Sequence, residues 1–367
     1  MAPSPWTAAS RAPLLLLVFF ASVCYGVVET CEELQAAFDL TKTQDVVIEI
    51  DPWANIDCPT FTTMSMDSNT LTVEPNPALS FSRVDLVRVR FEVTGGAKLT
   101  WVPEVRFAGE EFRDVDGGGI FVGEGSSVRF SNDLEMTDVA IASVPEEGED
   151  FASYQLTGGC VYTDGYFRVD GEAKFTRCEN SGGGESPPGP AGGMYVGEQG
   201  SVLFKGGVFM SEASITDNEG NNGAGIYNRG KVNIKGDSVF DDLTAESGGA
   251  IFNAVGGQFN FRNGATALFT DCTASEEIGG ALYNEGFFKF SGPALFVNSD
   301  TPAIYVAPGG ETVLSEKSAF WASRFPEDAP VVVAAGGQLD IPSSVVFYET
   351  DGSDCSTVFY QADNTCL

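Results

Sequence analysis

Apolar and polar residues alternate with a period of two in a short segment that keeps returning. The inward-facing partners are Val128/Phe130, Phe167/Val169, Val202/Phe204, Val232/Ile234, Phe259/Phe261 and Phe288/Phe290. A two-residue period puts one set of side chains on a buried face and the other in solvent, which predicts strands rather than helices. A large residue follows each pair: Met136, Phe175, Phe209, Phe240, Phe269 and Phe296, then Phe320 and Phe347. The spacing is six positions in most repeats, five at Phe204/Phe209 and eight at Phe261/Phe269. Leu99/Trp101 with Phe107 repeats the pattern upstream. Each unit opens with a small-residue pentapeptide: GGGIF at Gly117, GGCVY at Gly158, AGGMY at Ala191, GAGIY at Gly223, GGAIF at Gly248, GGALY at Gly279 and TPAIY at Thr301. A weaker APVVV starts at Ala329.

Two intervals set the geometry. From pentapeptide to large residue the distance stays between 17 and 21 positions; from that residue to the next pentapeptide it varies from 5 to 22. A closed coil with two tight corners and one variable corner behaves in this way. The shortest repeat, Gly279 to Thr301, is 22 residues. That length holds three short strands and is too short for the four strands of a propeller blade. A sandwich would not keep phenylalanine in step across so many units. The expected fold is all-β: a parallel β-helix solenoid of about ten coils, right-handed from the twist that strands prefer.

An open solenoid end exposes unpaired strand edges and needs a cap. Thr30 and Glu33 have the spacing of a capping box, and Leu34, Ala37 and Phe38 form one apolar stripe, so residues 31–40 read as a short helix within a capping segment 27–45. The solenoid then covers 46–350, and a tail, 351–367, closes the other end. Residues 1–26 have the form of a secretory signal: Arg11, the apolar run Leu14 to Val23, then Cys24 and Gly26. No later apolar run reaches membrane-spanning length. The mature chain is expected outside the cell, with no membrane span.

The 367-residue chain carries a net charge of −32 and no histidine. Such acidity argues against nucleic-acid partners. Seven cysteines lie beyond the signal; their order suggests the pairs Cys31–Cys58, Cys160–Cys178 and Cys355–Cys366, with Cys272 left over. There is no metal-ligand spacing, and no metal or cofactor is expected. Without histidine, imidazole acid–base and triad chemistry are excluded. An enzyme would have to use carboxylates or Lys/Arg, with Asp241–Asp242 and Glu276–Glu277 as turn-borne candidates.

Asn228, Asn253 and Asn284 recur at one repeat position and are expected to stack their amides. Outward positions of the second strand carry Arg129, Arg168, Lys205, Lys231, Lys235, Arg262 and Lys289, with Tyr166 and Phe287 on the same face. The variable corner is acidic instead: Glu146, Glu147, Glu149, Asp150, Glu185, Asp217, Glu219, Glu276 and Glu277. Stacking turns the bases into a strip suited to an extended anionic polysaccharide, or simply keeps a β face soluble. The corner insertions, one with Phe151 and Tyr154 and another reading GGGESPPGPA before Gly192, offer a second binding edge.

GGAI at Gly248–Ile251, with FVN at Phe296–Asn298, resembles the paired GGAI and FxxN repeats of chlamydial polymorphic outer-membrane proteins. The chain is also similar to secreted β-helix repeat proteins of brown algae and related protists, down to a helix–CPT–strand opening at Cys58. The likeness spans about residues 30–350 and implies a β-helix at the cell surface. Cys178 and Cys272 stand where the second pattern has asparagine, which implies a disulfide or buried thiol in place of part of an asparagine ladder. The expected function is a secreted, non-catalytic cell-surface or matrix protein binding glycans or surface proteins. The alternative is a polysaccharide-modifying lyase, hydrolase or epimerase.

Overall fold

The alternating segments stack as a parallel β-helix. A computed structural model describes residues 23–366 apart from 52, 76–82, 114, 143–155, 182–189, 217–221, 299–301, 322–328, 349–357 and 361–364. The second strands of the coils form one twelve-stranded sheet, each pairing in parallel with the strand one coil away. It runs from Val23–Val28 through Ser127–Phe130, Ser201–Phe204 and Phe287–Phe290 to Gln338–Asp340. Twelve rungs therefore stand where the repeats predict about ten coils, because Val23–Val28, Val46–Ile50 and Thr70–Pro75 build rungs whose sequences lack the pentapeptide. The first of these strands crosses the boundary expected after Gly26. The other two faces join into a second sheet of twenty-five strands.

Register aligns like with like. Phe130, Val169, Phe204, Ile234, Phe261 and Phe290 form one inward column, and every expected inward pair is buried. On the third face, Phe240, Phe269, Phe296, Phe320 and Phe347 stack with centroids 4.7–5.0 Å apart. One expectation is corrected here. Met210, not Phe209, is the inward residue, lying level with Phe175 and Phe240. The spacing from Phe204 is thus the regular six, and strict alternation turns Phe209 outward, with Lys174 Nζ 5.7 Å from its ring. Phe347 is only partly buried, near the open end.

Both recurrent corners use left-handed backbone. The first residue of the pentapeptides at Gly117, Gly158, Gly223, Gly248 and Gly279 has a positive φ, 67° at Gly223, where a Cβ would lie 2.6 Å from the Ile226 carbonyl oxygen. Ala191 takes the same conformation at 73°. After the third strand the corner residue is Asp138, Arg177, Glu212, Asp242, Asp271 or Asn298, with φ between 51° and 57°. Asp and Asn tolerate this region; the arginine and glutamate are held in it by the coil.

The helix is Cys31–Leu40, capped by Thr30 and Glu33 as expected. Leu34, Ala37 and Phe38 are buried, and the Phe38 ring stacks on Phe91 at 5.1 Å, so the helix closes the end of the core. Cys31–Cys58 ties it to the strand Asn55–Met66. Cys160–Cys178 is also formed, and Cys272 is a free, buried thiol whose pKa is raised by burial. Cys355 lies outside the described residues. The tail does more than the sequence implies: Val358–Tyr360 adds a parallel rung, and Thr365–Cys366 folds back antiparallel on it, covering that edge.

Candidate polyanion-binding face

The second strand is four residues long in most coils, so two of its side chains point outward and a third follows at the corner. Register sorts the expected bases into three columns rather than one strip. Tyr166, Ser201, Lys231, Gln258 and Phe287 form the first. Arg129, Arg168, Leu203, Asn233, Asn260 and Lys289 form the second. The corner column holds Asp170, Lys205, Lys235 and Arg262, each backbone N–H donating to the residue one coil before.

The two halves of this face differ electrostatically. In the first half, Asp170 gathers three bases. It accepts from Arg129 Nη2 at 2.7 Å, Arg168 Nε at 2.7 Å and Lys205 Nζ at 2.8 Å. Burial pushes its carboxyl pKa up, but the hydrogen bonds from Arg168, Lys205 and Arg129 outweigh that and hold it well below the carboxylate range. One carboxylate offsets one of these three positive charges and ties the three side-chain heads together.

In the second half, Lys231, Lys235, Arg262 and Lys289 make no ion pair among the described residues. They occupy three successive rungs. The side chains between them are carboxamides, Asn233, Gln258 and Asn260, rather than carboxylates. Phe287 borders the patch at one end; Tyr166, 37% exposed, stands beside the Asp170 clamp. Glu311 ends the patch one rung further on.

Comparison with protein-family models, curated proteins and solved structures finds no match. The site is therefore read from its own chemistry.

The other expected candidates fall elsewhere. The amides of Asn228, Asn253 and Asn284 are buried and hydrogen-bonded in series, so they support the corner and face no ligand. Asp241 ends the strand Ser238–Asp241, and Asp242 is the corner residue after it. Burial raises the Asp241 carboxyl pKa, with Asp271, Asp242 and Glu212 adding to it. Glu276 and Glu277 belong to the strand Thr273–Ile278, not to a turn, because that strand extends further than its neighbours. Glu146, Glu147, Glu149, Asp150, Phe151, Tyr154, Glu185, Asp217 and Glu219 lie outside the described residues, and so does most of the GGGESPPGPA insertion.

One surface feature was visible in the pentapeptides and not read from them. Their fifth residues stack outward on the first face: Phe121, Tyr162, Tyr195, Tyr227, Phe252, Tyr283 and Tyr305. Centroids are 4.6–5.4 Å apart and planes within 14° of parallel. The Arg90 guanidinium lies 5.6 Å from the Phe121 centroid and caps this ladder. Ring faces are consumed by stacking, so only edges and hydroxyls remain for contact.

Burial, then Glu285 and Tyr305, pushes the Tyr283 phenol up to about 12 from 10.0, and burial also raises Tyr162, Tyr227 and Tyr305. A phenol whose folded pKa is raised gives its full stabilisation below the unfolded value. That contribution is lost as pH climbs from 10.0 towards 12. Phenolate absorbance should accordingly show a late-titrating class in the folded protein, absent from the unfolded chain. Uniform titration near the ordinary value would refute the burial of the ladder.

Proposed function

We propose that this protein is a secreted, non-catalytic β-helix scaffold that binds extended anionic glycans along its twelve-stranded face. The observation that carries this reading is the run of unopposed cations Lys231, Lys235, Arg262 and Lys289, set among carboxamides on a regular parallel sheet. Parallel rungs repeat about every 4.8 Å, so the cations stand one rung apart along the face. Carboxylates or sulfates on such a glycan meet the cations, and Asn233, Gln258 and Asn260 offer amides to its hydroxyls. The chain's overall acidity does not prevent this, because charges beyond about 8 Å are largely screened at physiological salt. Two disulfides support an oxidising, extracellular setting, and no helix among the described residues is long and apolar enough to cross a membrane.

Heparin affinity chromatography tests the reading. The variant with Lys231, Lys235, Arg262 and Lys289 all changed to Ser should lose most of its retention. The variant with Arg129, Arg168 and Lys205 changed to Ser should lose less of it, since Asp170 holds those three heads and offsets one of their charges. Equal salt elution of wild type and the four-site variant would rule the reading out. The alternative, a polysaccharide-modifying enzyme, draws on the raised carboxyl of Asp241 beside Asp242, Asp271 and Glu212. New reducing ends or unsaturated uronate in the recovered glycan would decide for it.

A further inference from the structure

The third face carries an outward column that changes character halfway along the rod. Its first four members are Asp85, Arg106, Glu135 and Lys174. Glu135 binds Arg83 at 2.9 Å and lies 3.8 Å from Lys174 and 4.0 Å from Arg106, so this half is an ordinary solvated ion network. The next six members are Phe209, Val239, Leu268, Leu295, Ala319 and Val346. Beside them, Val297 aligns with Trp321. Trp321 is 50% and Val346 39% exposed. A continuous apolar stripe on the outside of a chain of net charge −32 is not explained by the fold, whose core is already complete without it.

The edges of this stripe are charged, and oppositely. Along the leading edge, at the corner from the second face, stand Lys205, Lys235 and Arg262, with Asp237 beside Lys235 and engaged by the Thr266 N–H. Along the trailing edge, in left-handed backbone, stand Glu212, Asp242 and Asp271. The match is rung by rung: Lys205 with Phe209 and Glu212, Lys235 with Val239 and Asp242, Arg262 with Leu268 and Asp271.

We propose that two copies of this chain pack third face against third face, with their rods parallel and related by a two-fold axis along the rod. That operation keeps each rung level with its own copy and reverses the strand direction. The cationic leading edge of one copy then meets the anionic trailing edge of the other, while the apolar stripes bury each other at the ordinary separation of stacked sheets, about 10 Å. With antiparallel rods, trailing edge meets trailing edge and places Glu212, Asp242 and Asp271 against the same acids, so the charge order selects the parallel arrangement. Six rungs of about 4.8 Å by four residues of about 3.3 Å give a footprint of roughly 400 Å² per copy, half that of a standard interface of about 800 Å². The dimer is accordingly weak, and concentration-dependent. It leaves Lys231 and Lys289 on the neighbouring face open and does not depend on glycan binding.

Sedimentation equilibrium of the full chain, from dilute to near-millimolar protein and without glycan, tests this. Wild type should associate reversibly to dimers. Leu268→Glu should weaken association at least tenfold, about 1.4 kcal/mol, with an unchanged melting curve and unchanged heparin retention. Arg262→Glu should weaken association as well, and Arg262→Glu combined with Asp271→Arg should restore it, because the reversed pair meets across the two-fold. A wild type that stays monomeric throughout, a Leu268→Glu protein that dimerises normally, or a swap that fails to rescue overturns the proposal. Unchanged heparin retention in the four-site variant would count only against the glycan reading, whereas the association of that variant should weaken, because it also removes Lys235 and Arg262 from the leading edge.

Discussion

Replacing Phe261 with alanine should lower stability by about 4 kcal/mol. The ring is fully buried where two aromatic columns meet. It stacks on Phe290 at 5.1 Å and leans on Phe259 at 5.5 Å. Phe240, Phe288 and Phe269 surround it at 6.1–6.5 Å. Removing it forfeits the transfer free energy of the ring and leaves a cavity that the walls cannot fill, because each neighbour belongs to a strand pinned above and below. Phe261→Leu keeps most of the volume and should cost only about 1–1.5 kcal/mol. Each coil touches chiefly its neighbours, so the loss should also appear as faster amide exchange centred on the rungs Lys231–Ile234 to Phe287–Phe290. A urea midpoint within error of wild type for the alanine variant would contradict the packing described.

Asn253→Ala should cost about 3 kcal/mol by a different route. Asn253 is the middle member of a buried amide series: its Oδ1 accepts from Asn228 Nδ2 at 2.7 Å, and its own Nδ2 donates to Asn284 Oδ1 at 2.7 Å and to the Phe287 carbonyl at 3.2 Å. Alanine removes little volume, yet it strands a donor on Asn228 and deprives the Asn284 and Phe287 acceptors, in a place water does not reach. The end members do a further task, since Asn228 accepts through Oδ1 from the backbone N–H of Gly230, and Asn284 likewise from that of Gly286, closing two tight corners. Denaturant unfolding of Asn253→Ala beside the near-isosteric Asn253→Leu separates the two terms. If both behave like wild type, the ladder contributes nothing and the column is merely tolerated polarity.

Much of the architecture was legible because one physical rule repeats. Alternation named the inward residues, the glycine-led corner marked the coil boundary, and the capping box located the helix to its end residues. Phe209 was misplaced because neighbouring Phe and Met both suit a core, and only the ladder register with Phe175 and Phe240 decides between them. The aromatic ladder was present as the fifth letter of seven pentapeptides, but an aromatic after an inward aliphatic says nothing of stacking until the strands are aligned. The candidate site was legible in part. The bases were identifiable as outward, yet the sequence could not reveal that Asp170 would gather Arg129, Arg168 and Lys205, residues up to forty-one positions away in the chain.

Local pattern by itself determined the coil: the two-residue period, the positive-φ corners and the spacing of large residues are each set within one repeat, where sequence neighbours are also spatial neighbours. Tertiary structure decided what each column became. A side chain's partners in a stacked coil are the residues one turn before and after, and the variable corner makes that offset change along the rod. Which charges cancel, which amides join and which apolar residues line up on the outside therefore follow from the register between rungs, set by backbone hydrogen bonding and the fit of the core.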